Sequence, residues 1–402
     1  MSLHRRLSDS SQQENSPLLP NSRGRNEGPH GWRDILENKM TWAWYTTVMS
    51  SGGVALLIYE LPYQVHRLWV VGSIVYIASL IGFLLLLLIH LARFALNPRL
   101  IPASIAHPSE GLFVSTFAAA LGILIIDGAT YSHKMHTSSG SALRTFYWVF
   151  VLVAVIFGVA TPLAQFSRST PTHDTRDSAP MSVQQVLPLT LVGYAAAMVA
   201  SHIDPGTGSY IAMPILYMGI AIQGMGILVS LLYLAGFVDS LYRYSLPVAA
   251  SRPSMFISVG PPAFTAVSFA LLAEQCLRHF PGTRTAPDHA VDIVGGVAMY
   301  YISFFIALMF WGLSLWFFLI STFSNLAVLR HMDIGLQQLE MFSLIFPNIG
   351  FALATTYISK LLGNPKVLAV TAEILDLVVV GAWAIVMLAM IFGIVTGRIF
   401  RG

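Results

Sequence analysis

The amino-acid sequence predicts an all-α polytopic membrane protein, with about ten transmembrane helices paired as five hairpins around a central pore. Three observations carry this. The 402 residues are 55% hydrophobic and only 10% charged, too few charges to clothe a water-soluble globule of that size. The apolar residues fall in long blocks, such as 81–89 and 369–395, as a bilayer requires. Prolines, glycines and polar residues collect in alternate blocks, so the spans divide into two kinds.

Residues 1–37 read as a disordered cytosolic tail. Up to about residue 30 they are polar, rich in Ser, Asn, Gln, Pro and Arg, and lack an apolar run of signal-peptide length. A ten-helix transmembrane domain fills 38–397, with spans at roughly 41–61, 68–93, 110–127, 144–166, 186–203, 210–238, 253–274, 294–321, 340–359 and 367–396, and 398–402 form the C-terminus. An even number of spans puts both termini on one side. With the termini in the cytosol, cytosolic segments hold 15 Lys and Arg and outer loops 7, the bias expected of that orientation.

The single cysteine, Cys276, leaves no disulfide framework and no cysteine-based metal cluster. A net charge of +3 is small and dispersed and argues against a nucleic-acid partner, and no Walker-type glycine loop indicates ATP-driven work. Nothing assembles a nucleophile pair or a metal site, so no enzyme activity, catalytic residue, metal or cofactor is expected. The partners expected are the bilayer and a small solute driven by gradients.

The odd-numbered spans carry the disturbances. Span one has Ser50-Ser51-Gly52-Gly53, three follows His107-Pro108-Ser109-Glu110, five contains Pro188, seven contains Gly260-Pro261-Pro262, and nine contains Pro347-Asn348 and Gly350. Spans two, eight and ten lack proline. Proline in a helix removes an N–H and frees a carbonyl, which hydrocarbon tolerates only against protein or a watery cavity. The odd helices are therefore expected inside, lining the pore, and the even ones outside, facing lipid.

Three breaks are candidate substrate-binding and pore-lining sites for a small organic anion. At Gly260-Pro261-Pro262 a half-helix N-terminus would offer N–H groups to a carboxylate, with Ser258 and Thr265 as hydroxyl donors beside it, the alternative being a packing kink. Ser50, Ser51, Gly52 and Gly53 suit close approach to an ion and tight helix packing equally. Pro347 and Asn348 add a kink and an amide that either meets an anion or bonds across helices. Arg243, Arg252, Arg278 and Arg330 flank the spans as an electrostatic mouth, with Arg284 near Arg278, or serve topology alone. Glu373 and Asp376 share a helical face and read as a helix-pairing or oligomer contact, and His107 and His202 are placed to sense pH.

The stretches Trp42-Ala43-Trp44, Met49-Ser50-Ser51-Gly52-Gly53-Val54-Ala55, Ser258-Val259-Gly260-Pro261-Pro262-Ala263-Phe264-Thr265 and Phe346-Pro347-Asn348-Ile349-Gly350-Phe351 resemble the tellurite-resistance/dicarboxylate transporter family. That family includes the plant slow anion channels and the fungal malic acid transporters, and the block in span seven looks most like the malate branch. The resemblance implies ten helices in five hairpins, a homotrimer with one pore per protomer, and Phe346 as the side chain that plugs the pore. It implies membrane transport of C4-dicarboxylates: malate, with succinate or fumarate as further candidates. Sulfite or inorganic-anion efflux on the same fold is the alternative.

The tail carries two short patterns. Arg5-Arg6-Leu7-Ser8 resembles a basophilic kinase site, and Glu14-Asn15-Ser16-Pro17-Leu18-Leu19 an acidic dileucine sorting signal. The plasma membrane is the expected location, with a vacuolar or endosomal membrane if the dileucine signal operates.

Overall fold

The computed structural model describes residues 32–61, 68–107, 110–135, 140–167, 180–205, 208–280, 289–328 and 341–397. Both tail patterns, Arg284 and Arg330 lie outside these residues. Among the described residues the chain is helical and has no strand.

Ten principal helices follow in order: α1 (Tyr45–Glu60), α2 (Leu68–Leu96), α3 (Thr116–Met135), α4 (Gly140–Phe166), α5 (Val192–Ala200), α6 (Ser209–Tyr244), α7 (Gly260–His279), α8 (His289–Leu326), α9 (Met341–Leu361) and α10 (Lys366–Val395). They coincide with the ten expected spans. Eight helical runs are long and apolar enough to cross a membrane. The two others, α1 and α9, sit wholly within the protein: every residue from Tyr45 to Ile58 is buried, as are all the residues from Ile345 to Tyr357 except the half-buried last.

Burial divides the helices as the proline pattern predicts. The spans containing α3, α5 and α7 have 83%, 94% and 94% of their most apolar window buried, against 22%, 33%, 39%, 22% and 22% for α2, α4, α6, α8 and α10. Each odd helix packs on the even helix that follows it, which gives five hairpins. The odd helices also touch one another in sequence, α1 on α3, α3 on α5, α5 on α7 and α7 on α9, and α9 closes the ring on α1. The apolar outer faces, such as Leu84, Leu88, Leu152, Leu232, Phe305 and Leu388, match hydrocarbon, which cannot satisfy an exposed backbone group and so admits only helix here.

Small residues let the ring close. A Cβ on Gly52 would lie 2.6 Å from Ile123 and 2.8 Å from an Asp127 carboxylate oxygen, and one on Gly72 would fall 2.0 Å from the Tyr131 hydroxyl. That hydroxyl donates to the Ala55 carbonyl at 2.7 Å, pinning α3 to α1. The last hairpin turns through Gly363 (φ 79°) and Asn364 (φ 57°) before Pro365, two left-handed residues that end α9 and start α10 without a longer loop.

One buried ion pair ties the tail end of the domain together. Arg93, fully buried on α2, donates to Glu110 at 2.9 Å and to the Glu37 carbonyl at 3.1 Å. Glu110 opens a short helix, Glu110–Phe113, ahead of α3, and its N–H donates to His107 Nδ1 at 3.2 Å.

Candidate functional site: the central cavity

Two long 3-10 segments shape the middle of the ring. Val183–Leu191 leads into α5, and Ala249–Val259 leads into α7. Such segments seldom exceed three or four residues, and these have 9 and 11. Proline supplies the reason. In an α-helix the carbonyls of Ile257 and Ser258 would receive the N–H groups of residues 261 and 262, but Pro261 and Pro262 have none. The backbone tightens instead, and Gly260 N–H donates to the Ile257 carbonyl three residues back. The other junction repeats this: Val192 N–H donates to the Leu189 carbonyl, downstream of Pro188, which cannot serve the carbonyl of Gln184.

This geometry corrects one expectation. The α7 start is not an open set of N–H donors, because Gly260 N–H is engaged and the next two residues are prolines in the first helical turn. Ser258 donates to the Met255 carbonyl at 2.7 Å and Thr265 to the Pro261 carbonyl at 2.7 Å. The dipole remains, but the donors of the proposed carboxylate dock are absent in this state.

Between the two segments lies a constricted cavity with room for about one water molecule. Gly260 and Pro261 form one wall, Phe346 and Pro347 of α9 another, and Met49 of α1, Gln184 and Ile257 complete it with Val183 and Leu187. No charged side chain lines it. Gly260 faces Pro347 closely, a Cβ there reaching 3.6 Å from the proline ring, so the two proline breaks meet across the cavity. Phe346 is buried and stacks on Phe264 of α7, with centroids 4.7 Å apart and planes at 24°.

Gly350, one turn beyond Phe346, makes room for that stack. A Cβ at this position would come within 2.8 Å of the Phe264 ring. Gly350→Ala is therefore expected to displace Phe264, loosen Phe346 and raise anion leak in proteoliposomes. The overpacking should cost about 1–3 kcal/mol of stability. An unchanged leak in folded protein would show that the stack does not hold the ring.

The remaining candidates divide. Ser50 donates to the Phe342 carbonyl at 3.3 Å, and Gly53 meets Ile349, so these two join α1 to α9. Ser51 donates to Thr47 O at 2.7 Å and accepts from the Trp383 indole at 3.1 Å, facing α10 and not the cavity. Gly52 packs on α3. Pro262 is buried within α7. Asn348 donates to the Leu344 carbonyl at 2.6 Å. Among the arginines, Arg243 and Arg278 form exposed helical pairs with Asp239 and Glu274, and Arg252 bonds the carbonyls of Pro247 and Ser324. These three are held locally, away from the cavity lining. His202 bonds Ser132 at 2.8 Å and stacks on His133 at 3.7 Å. Asp376 faces α9, where Thr356 donates to it at 3.4 Å.

Sequence reasoning passed over Gln184 and Phe264. Gln184 is buried at the cavity wall, and its Oε1 has no partner among the described residues. A glutamine in an apolar span four residues before a proline was the available signal, since polar groups at such depth usually carry function.

Five odd helices thus form a ring inside five even ones, with Phe346 stacked on Phe264 beside the cavity. Residues 39–391 match the SLAC1 family, described as voltage-dependent anion channel. The chain belongs to the SLAC1 family. Relatives of this SLAC1-family chain include a malic acid transport protein of Schizosaccharomyces pombe, 27% identical over 87% of this chain and 77% of that one. A sulfite efflux pump, SSU1, of Trichophyton rubrum is 24% identical over 89% and 92%. An uncharacterized transporter of Methanocaldococcus jannaschii is 22% identical over 89% and 96%. The assignment places the chain among the membrane anion transporters of the SLAC1 family.

Proposed function

We propose that this chain passes C4-dicarboxylates, malate first and succinate or fumarate after it, through the central cavity, with Phe346 as its gate. The observation that carries the reading is the placement of Phe346: buried, stacked on Phe264, at the Phe-Pro step that meets Gly260-Pro261 across the cavity. The dry ring blocks a charged solute, and its withdrawal would open a path along α1, α7 and α9. The malic acid transport relatives support the choice of substrate. Gln184 would supply the amide contact, and the bends at Pro261 and Pro347 the backbone contacts. A homotrimer, cytosolic termini and a plasma-membrane location, with a vacuolar or endosomal alternative, complete the proposal.

The second reading is sulfite or inorganic-anion efflux. The relatives named as sulfite efflux pumps favour it. Radiolabelled malate and sulfite uptake into proteoliposomes, under imposed pH and voltage gradients, separates the two. Saturable malate uptake that unlabelled sulfite competes with poorly is expected. Sulfite flux without malate flux would overturn the first reading in favour of the second.

A further inference from the structure

Gln223 lies on α6, an outer helix whose other face meets lipid, yet it is fully buried. Its side chain reaches both junctions where a 3-10 segment turns into α-helix. At the first, Gly193 N–H donates to Gln223 Oε1 at 3.1 Å, one residue past the Leu191–Val192 step. At the second, Gln223 Nε2 donates to Thr265 Oγ1 at 2.9 Å, and Thr265 in turn donates to the Pro261 carbonyl at 2.7 Å. Ser268 Oγ lies 3.2 Å from Oε1 and 2.7 Å from the Phe264 carbonyl, and its one hydrogen serves only one of the two. The amide orientation follows from its partners, because a backbone N–H requires the oxygen.

We propose that Gln223 is a positioning residue that locks the two 3-10 segments in register and so sets the shape of the anion cavity. One relay runs from Gly193 N–H through the Gln223 amide and the Thr265 hydroxyl to the carbonyl of Pro261, a residue of the cavity wall. The segments it joins carry the other walls, Val183, Gln184 and Leu187 on one and Ile257 on the other.

A 3-10 segment advances about 2.0 Å per residue and turns about 120°, against about 1.5 Å and about 100° for an α-helix. Conversion of four residues would therefore withdraw the chain by about 2 Å and turn its side chains by about 80°. Gln184 or Ile257 would leave the cavity by such a step. A conversion that carries Gly193 or Thr265 away from α6 would break the relay, so the amide holds both junctions in the present arrangement. Its buried, multiply bonded state fits this role, since a half-satisfied network in a low-dielectric interior is unfavourable.

This inference rests on anion passage through the cavity and not on the identity of the anion. The test uses the full-length protein in proteoliposomes, with chloride and malate as probes and flux expressed per folded molecule. Gln223→Met keeps the volume and removes the relay, and Thr265→Val removes its last link. Each is expected to change chloride flux by about fivefold or more, the population shift that one hydrogen bond sustains, and to shift the malate-to-chloride ratio. The double variant is expected to match the single ones, since both cut one chain of bonds. Ser268→Ala, which leaves both junction bonds in place, is expected to retain parent flux. Parent values in the Met and Val variants, or effects that multiply in the double, would overturn the proposal. Should Gln223→Met not fold, Thr265→Val against Ser268→Ala decides by the same readout. A parent that moves chloride but no malate removes the dicarboxylate reading alone, since the relay is still read from chloride.

Discussion

Phe346→Ala is expected to raise anion flux by more than tenfold. The ring is buried, forms part of the wall of the constricted cavity and stacks on Phe264 at 4.7 Å. Removing it takes away an apolar disc that an anion must displace, and a barrier lowered by about 1.4 kcal/mol is already a factor of ten. Pro347, which lacks an N–H within α9, stays in place. Truncation of a buried phenylalanine also costs about 3–5 kcal/mol in soluble cores, so Phe346→Leu, which keeps more volume, should show a smaller rise with better yield. Tracer efflux per folded molecule is the measurement. Flux at or below the parent level in both variants would remove the gating role and leave Phe346 as a packing residue.

The second large effect concerns stability. Arg93→Met is expected to lower the yield of folded protein sharply, because Glu110 would be left charged and buried, having lost its partner at 2.9 Å. Breaking such a pair costs about 3–5 kcal/mol, whereas replacing both members by apolar groups is often near neutral. Arg93→Met combined with Glu110→Met should therefore recover much of what the single change loses, less the contact to the Glu37 carbonyl. Monodispersity and melting temperature in detergent report this. Equal damage in the single and double variants would show that the guanidinium matters through its backbone contact and its packing instead.

Much of this fold was legible in the sequence. The apolar blocks set the number of helices, and the restriction of most disturbances to odd spans identified which helices form the ring, because hydrocarbon penalises a broken backbone wherever it is exposed. The site was legible only in outline. Gly260, Pro261, Phe346 and Pro347 line one cavity, but a proline pair read as an open helix end proves to be the exit of a 3-10 segment. Proline states which N–H is missing and not how the preceding turns compensate. Ser51 and Gly52 were unreadable for a different reason. Which side of a helix faces the centre depends on its rotation, and a segment buried on every side, as α1 is from Tyr45 to Ile58, has no apolar stripe to reveal it. Gln223 was missed because it stands on an outer helix, where a lone amide gives no sign of pointing inward.

The hydroxyls of the ring have a consequence for how an anion would be received. Ser258, Thr265 and Thr355 each donate to a carbonyl of their own segment, three or four residues back. Each O–H is held by a single torsion, and turning it through one rotamer step points the same hydrogen away from the backbone. Wherever such a hydroxyl borders the path, a passing carboxylate would take over a donor that already exists, and the vacated carbonyl would keep its helical N–H partner. The wall can therefore be dry while empty and hydrogen-bonding while occupied, with no helix having to move for that change alone.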